Sequence, residues 1–137
     1  MNLKEKCLFL QDRLERLTEI SLSLSKENNI NIILELILEE ARKITNADGQ
    51  TLYMKSHDGN NIDFKIVKNT SKNIFMGGTS EKKILYKPIK LFDEIGKPNL
   101  KNVNTYVAHT GKTLNITDPY NNDEFDFSGT IEIDKKK

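Results

Sequence analysis

The segment NVNTYVAHTGKTLNITDPYNNDEFDF, residues 102–127, decides how the chain reads as a fold. It predicts a short helix near Asn102 to Ala108, Gly111 as the helix stop and a strand at Thr113 to Thr117. A polar loop follows, opened by Asp118-Pro119-Tyr120 and carrying Phe125 and Phe127. Gly111 is suited to the positive φ of a helix C-cap. Leu114 and Ile116 alternate with polar neighbours, so a strand there points both into a core. Asp118 can cap or orient the loop beyond the strand, and Pro119 fixes its exit.

Upstream, Lys97-Pro98-Asn99 is a break, and Lys87 to Leu91 reads as a strand with Ile89 and Leu91 on one face. Asn69 to Lys83 is polar, contains Gly77-Gly78 and predicts a loop. Before it lies a hairpin signal: a strand from Gln50 to Lys55, the turn pair Asp58-Gly59, and a return strand from Ile62 to Lys68. Ile62, Phe64 and Ile66 form its inward face. A helix from Ile32 to Thr45 precedes the hairpin, with Asn31 as N-cap and Ile30 as half of a hydrophobic staple. Ile33, Leu34, Ile37, Leu38, Ala41 and Ile44 share one broad face, widened by Leu36. Glu35, Glu39, Glu40, Arg42 and Lys43 fall mostly on the solvent side, with Glu39 and Lys43 spaced as an i,i+4 pair. Helices, a hairpin and further strands in this order predict an α+β fold with an antiparallel sheet flanked by helices.

The first helix, from about Leu3 to Lys26, has a different pattern. Leu3, Cys7, Leu10, Leu14, Leu17, Ser21 and Leu24 are spaced by alternating steps of four and three. This is an a/d seam with Leu at every d position, which predicts a helix that pairs with its copy in a parallel homodimer. Packing on the chain's own domain is the plainer alternative. The divisions expected are a dimerisation helix over 1–27, a domain over 28–130 and a basic, disordered tail over 131–137.

Composition limits the functions. The 137 residues carry 21 Lys+Arg and 20 Asp+Glu, a net charge of +1, without the basic excess a nucleic-acid or membrane-surface role needs. No apolar run approaches the roughly 18 residues of a membrane span. Cys7 is the single cysteine, so an intrachain disulfide and a cysteine-rich metal site are excluded, in keeping with a reduced, cytoplasmic setting.

The order V-A-x-T-G-K-T-L-N-I-x-D-x-Y followed by F-D-F resembles the middle of a GAF domain, a small α/β sensory module on an antiparallel sheet. Val107, Ala108, Thr110, Gly111, Leu114, Asn115, Ile116, Asp118, Tyr120, Phe125 and Asp126 carry the resemblance. The wording around Phe125 is similar to GAF domains attached to HD-GYP or cyclic-nucleotide phosphodiesterases. The resemblance implies a cleft for a small molecule bounded by Tyr106, Val107, Thr110, Asp118, Phe125 and Asp126. Asp123, Glu124 and Asp126 read first as a solvated acidic loop; facing the cleft, they would accept hydrogen bonds from a purine edge while Phe125 stacks on the base. It also implies two further strands and a closing helix beyond Phe127. With only Ile131 to Asp134 and three lysines there, the expectation is a C-terminally truncated module of marginal stability.

Other constellations are set aside. Gly111-Lys112-Thr113 lacks the earlier glycine of a phosphate loop, since Tyr106 stands there, and it enters a strand. His57-Asp58 spells a metal-binding pair but sits in a turn. Gly77-Gly78-Thr79-Ser80 suits flexible loop chemistry better than an anion cradle. His109 reads as a polar helix-end residue, with contact to a ligand phosphate as the alternative. The expectation is a non-catalytic, cofactor-free sensor that binds a small molecule such as a cyclic nucleotide, upstream of an output domain. The alternative is an interaction module that only dimerises.

Overall fold

The hairpin forms where the alternation placed it. β1 spans Gly49–Lys55 and β2 spans Asn61–Asn69 in the computed structural model, which describes residues 1–129. The turn between them is held by Asp58, whose Oδ1 accepts from Ser56 Oγ at 2.6 Å and from the Asn60 amide at 3.0 Å. Gly59 takes a φ of 75° there, the left-handed conformation the turn requires. β2 is the hub of an open sheet. β3 (Ile74–Gly77) pairs antiparallel with its C-terminal half, Ile66 opposite Gly77 and Asn69 opposite Ile74. β4 (Ile89–Lys90) pairs with its start, Ile62 opposite Ile89. β1 neighbours β2. With α1 (Leu3–Lys26), α2 (Ile30–Thr45) and α3 (Val103–Thr110), the class is α+β. Among the described residues no helix is long and apolar enough to cross a membrane.

The chain divides into two compact units. The first holds Met1–Leu52 and Phe64–Leu85, with Leu38, Ile66 and Val67 buried. The second holds Tyr53–Asp63 and the described residues from Tyr86 on, with Ile62, Leu91 and Thr105 buried. Thr105 is fully enclosed, and its hydroxyl donates to the Asn102 carbonyl at 3.0 Å, which satisfies it.

Several elements depart from the expectations. Residues 69–83 are not a plain loop: a run of Ile74, Phe75 and Met76 forms β3 against β2. The connection is tight, with Asn73 at φ 51°, and Asp48 accepts from the Ser71 amide at 2.9 Å and its hydroxyl at 2.6 Å. Three consecutive apolar residues lack the alternation that marks a half-buried strand, so pairing with β2, not pattern, makes this one. Conversely, the strand expected at Thr113 to Thr117 does not form. Leu114 and Ile116 are half-buried, but a strand also needs a neighbour for its backbone groups. The strand expected over Lys87 to Leu91 shrinks to Ile89–Lys90, since Pro88 has no N–H to donate.

Helix α2 begins two residues before the expected start: Asn29, not Asn31, is the cap, and its side chain accepts from the Asn31 amide at 3.0 Å. Ile30 is therefore inside the helix. The expected Glu39–Lys43 pair is replaced by two i,i+3 pairs, Arg42–Glu39 at 2.8 Å and Lys43–Glu40 at 2.7 Å. Glu35 is drawn from the solvent side onto the turn after β3, accepting from the Thr79 amide and, at 3.0 Å, from the Thr79 hydroxyl. Gly77 and Gly78, at φ 74° and 56°, make that turn. The tail expected at 131–137, and Ile131 to Asp134 within it, lie outside the described residues.

Candidate functional site

The elements of the candidate site belong to the second unit. Val103–Thr110 is helical because Asn102 starts it in an extended conformation and Gly111 stops it at φ 67°, its amide donating to Val107 O at 2.8 Å. Thr110, in the last turn, donates its hydroxyl to Tyr106 O at 2.8 Å and accepts from the Lys112 amide at 3.2 Å. Tyr106, Val107 and Thr110 thus lie within one turn of helix, with Val107 and Tyr106 half-buried.

The loop beyond is built from short side chains that bond their own backbone. Asp118 accepts from the Tyr120 amide at 2.9 Å and from Asn121 Nδ2 at 2.6 Å, capping a 3₁₀ turn over Pro119–Asn121. The Asn121 bond, then the amide, favour the carboxylate and hold Asp118 below its usual range. Asn122 Oδ1 accepts from the Glu124 and Phe125 amides at 2.9 and 3.1 Å. The chain then returns to the start of α3: the Asp126 amide donates to Lys101 O at 2.7 Å, and Asn102 Nδ2 to Asp126 O at 3.5 Å. This closure sets Phe125 against Tyr106, edge to face, with ring centroids 5.3 Å apart and an interplanar angle of 75°. Asp126 accepts from the Ser128 amide at 2.9 Å, and hydrogen bonds from Ser128 hold its carboxyl below the ordinary value.

Of the six residues singled out from the sequence, Tyr106 and Phe125 are in ring contact, and Asp126 follows directly on the loop. Val107 and Thr110 share the helix of Tyr106. Asp118 uses both carboxylate oxygens within its own turn, so its observed role is structural. His109 is engaged as well: Nε2 lies 2.6 Å from Leu91 O and donates to it, and its ring meets Phe92 edge-on at 5.3 Å. Lys101, Asn102 and Asn122, which seat the loop, were not singled out. Asn122 carries a usable signal, because an Asn ahead of an acidic run favours a local side-chain turn.

In the first unit, a cleft of about 210 Å³ separates α1 from α2, lined by Arg16, Ile20, Leu24, Leu36, Glu40 and Lys43 among others. It falls below the roughly 300–1,000 Å³ of small-molecule pockets, so it reads as a shallow gap between helices. Glu40 pairs with both of its cations, Lys43 at 2.7 Å and Arg16 at 3.8 Å. Among the described residues, no group of three or more His, Cys, Asp and Glu side chains is arranged to hold a metal. Comparison of the chain with protein-family models, curated proteins and solved structures found no match in any of the three.

Proposed function

We propose that the chain is a non-catalytic sensor module of GAF type, which takes a small planar ligand of the cyclic-nucleotide class beside α3. The observation that carries this reading is the Tyr106–Phe125 pair, held by a loop that closes on the N-terminus of the same helix. Both rings are half-buried, so each keeps surface for a third aromatic group. Asp126, Asp123 and Glu124 adjoin Phe125 and supply acceptors for the exocyclic amine of a purine. The module would act in a cytoplasmic signalling protein, passing occupancy to an output domain through its helices.

Calorimetric titration of the full chain with cyclic mononucleotides and dinucleotides tests the reading. Base–aromatic stacking is worth about 1–3 kcal/mol, so Phe125→Ala is expected to weaken binding by roughly 5- to 150-fold. Absence of heat with every nucleotide, together with unshifted Tyr106 and Phe125 ring resonances, overturns it. A second reading, an interaction module that works by pairing with its own copy, is favoured by the exposure of Leu3, Leu10, Leu14 and Leu17 along α1. Both readings include a homodimer through that helix.

A further inference from the structure

We propose that α1 pairs with α1 of a second copy as a parallel, in-register coil confined to Leu3 through Leu17. This rests on the dimer reading above and adds its register, its extent and the charge pattern that fixes its orientation.

Extent follows from what α1 already covers. It contains no buried residue, and Leu3 and Leu14 are 86% and 66% exposed. Near its C-terminus, Ile20 and Leu24 are half-buried and face Leu36 of α2 across the cleft. The lower end of the seam therefore has an occupant in its own chain. Leu3, Cys7, Leu10, Leu14 and Leu17 are all exposed. Their 3.5-residue spacing is that of a seam between helices that wind about each other.

Charge selects the orientation. With Leu3, Leu10 and Leu17 at d, the g positions hold Lys6 and Arg13, and the e positions hold Lys4, Gln11 and Thr18. A parallel pair sets Lys6 against Gln11 of the second copy and Arg13 against Thr18, without like-charge contact. Antiparallel registers that stack the same leucines set Lys6 against Arg13, or Arg13 against its twin, and are disfavoured by repulsion. The antiparallel register that would bring Lys6 to Glu27 needs Leu24, which faces α2. The exposed seam is shorter than the about three to four heptads of a self-sufficient coil, so pairing is weak and concentration-dependent.

In this arrangement Cys7, at an a position, faces Cys7 of the second copy, and the chain has no other cysteine. Sedimentation of the full chain across a concentration series, followed by copper(II)–phenanthroline oxidation, tests the inference. Each thiol gives its proton to solvent and one electron to copper(II), which is reduced to copper(I), and the two sulfurs form one disulfide. The expected result is a reversible dimer that oxidation makes covalent. Leu10→Asp and Leu14→Asp should each abolish both signals while leaving helical circular dichroism in place. With Cys7→Ser as background, Leu14→Cys restores the covalent dimer and Glu15→Cys, off the seam, does not. A monomer at every concentration overturns the dimer and this inference together. A dimer that links through neither Cys7 nor Leu14→Cys overturns the parallel register alone. Linking through Glu15→Cys as fast as through Cys7 marks random collision and overturns it too.

Discussion

Helices α1 and α2 follow each other in sequence and differ in how far they are shielded from water, although Ile30, Ile37 and Ile44 of α2 are exposed too. α1 is 24 residues long and buries none of them, whereas α2 is 16 residues long and encloses Leu38. Both are well capped. Asn2 and Glu5 form a reciprocal capping box at 2.9 Å, and Asn29 caps α2 while Asn46 closes it in the left-handed conformation. Caps therefore do not explain the difference. The width of the apolar stripe does. α2 carries apolar residues around much of its circumference and can lie on a core, with Glu35 fastening its side to Thr79. α1 lines up Leu3, Leu10, Leu14, Leu17 and Leu24 on a narrow seam suited to one other helix, while Leu8 and Leu22 lie off it and are exposed.

Truncating one leucine on each helix should separate the two most clearly. Leu38→Ala should cost about 2–5 kcal/mol in denaturant unfolding of the dilute chain, since it opens a cavity. Leu14→Ala, at a surface position of the monomer, should stay within about 0.5 kcal/mol. Equal losses would mean α1 is packed like α2.

The anchoring of α2 gives the next effect. A Cβ on Gly77 would lie 2.0 Å from Lys65 O, and on Gly78 2.3 Å from Glu35 Oε1. Positive φ alone costs a non-glycine residue about 1–3 kcal/mol, and the backbone clash at Gly77 adds to it. Gly77→Ala should therefore destabilise more than Gly78→Ala, where Glu35 can swing aside and give up Thr79. Hydrogen exchange at the Thr79 amide should rise only modestly in Gly77→Ala if the latch survives, and sharply in Gly78→Ala.

Caps offer a finer test. Asn29→Ala should lower global stability by about 1 kcal/mol. Asn2→Ala should instead fray the first turn of α1, visible as faster amide exchange at Glu5 and Lys6, with the unfolding midpoint unmoved.

The smallest effect is on pH. Glu39 is held below its usual value chiefly by its hydrogen bond from Arg42, and Asp48 by those from Ser71. Depressed carboxyl pKa values stabilise the fold above the unfolded pKa, and that contribution is lost as pH falls through the folded value. The unfolding midpoint should decline below about pH 4.5, from the ordinary values of 4.5 for Glu39 and 3.8 for Asp48. Asp48→Asn should remove part of that acid sensitivity, with its deficit vanishing at low pH.

Much of this was legible from residues alone. The bounds of α1, the hairpin about Asp58-Gly59, the stop at Gly111 and the Asp118 cap follow from periodicity and turn chemistry, which act over a few residues. Tyr106 and Phe125 were both named from the sequence, but their contact depends on the Asp126 amide reaching Lys101, which no local pattern encodes.

An α+β chain with a hairpin, a broad-faced helix and a seam-bearing helix is written in the residues alone, because those signals are periodic and local. That Ile74–Gly77 is a strand and Thr113 to Thr117 is not depends on what the folded chain sets beside each. The reason is physical: a helix satisfies its hydrogen bonds within itself, while a strand exists only where another strand lies alongside to accept and donate. Ile74 has β2 beside it, and that neighbour, not its own side chain, makes it β structure.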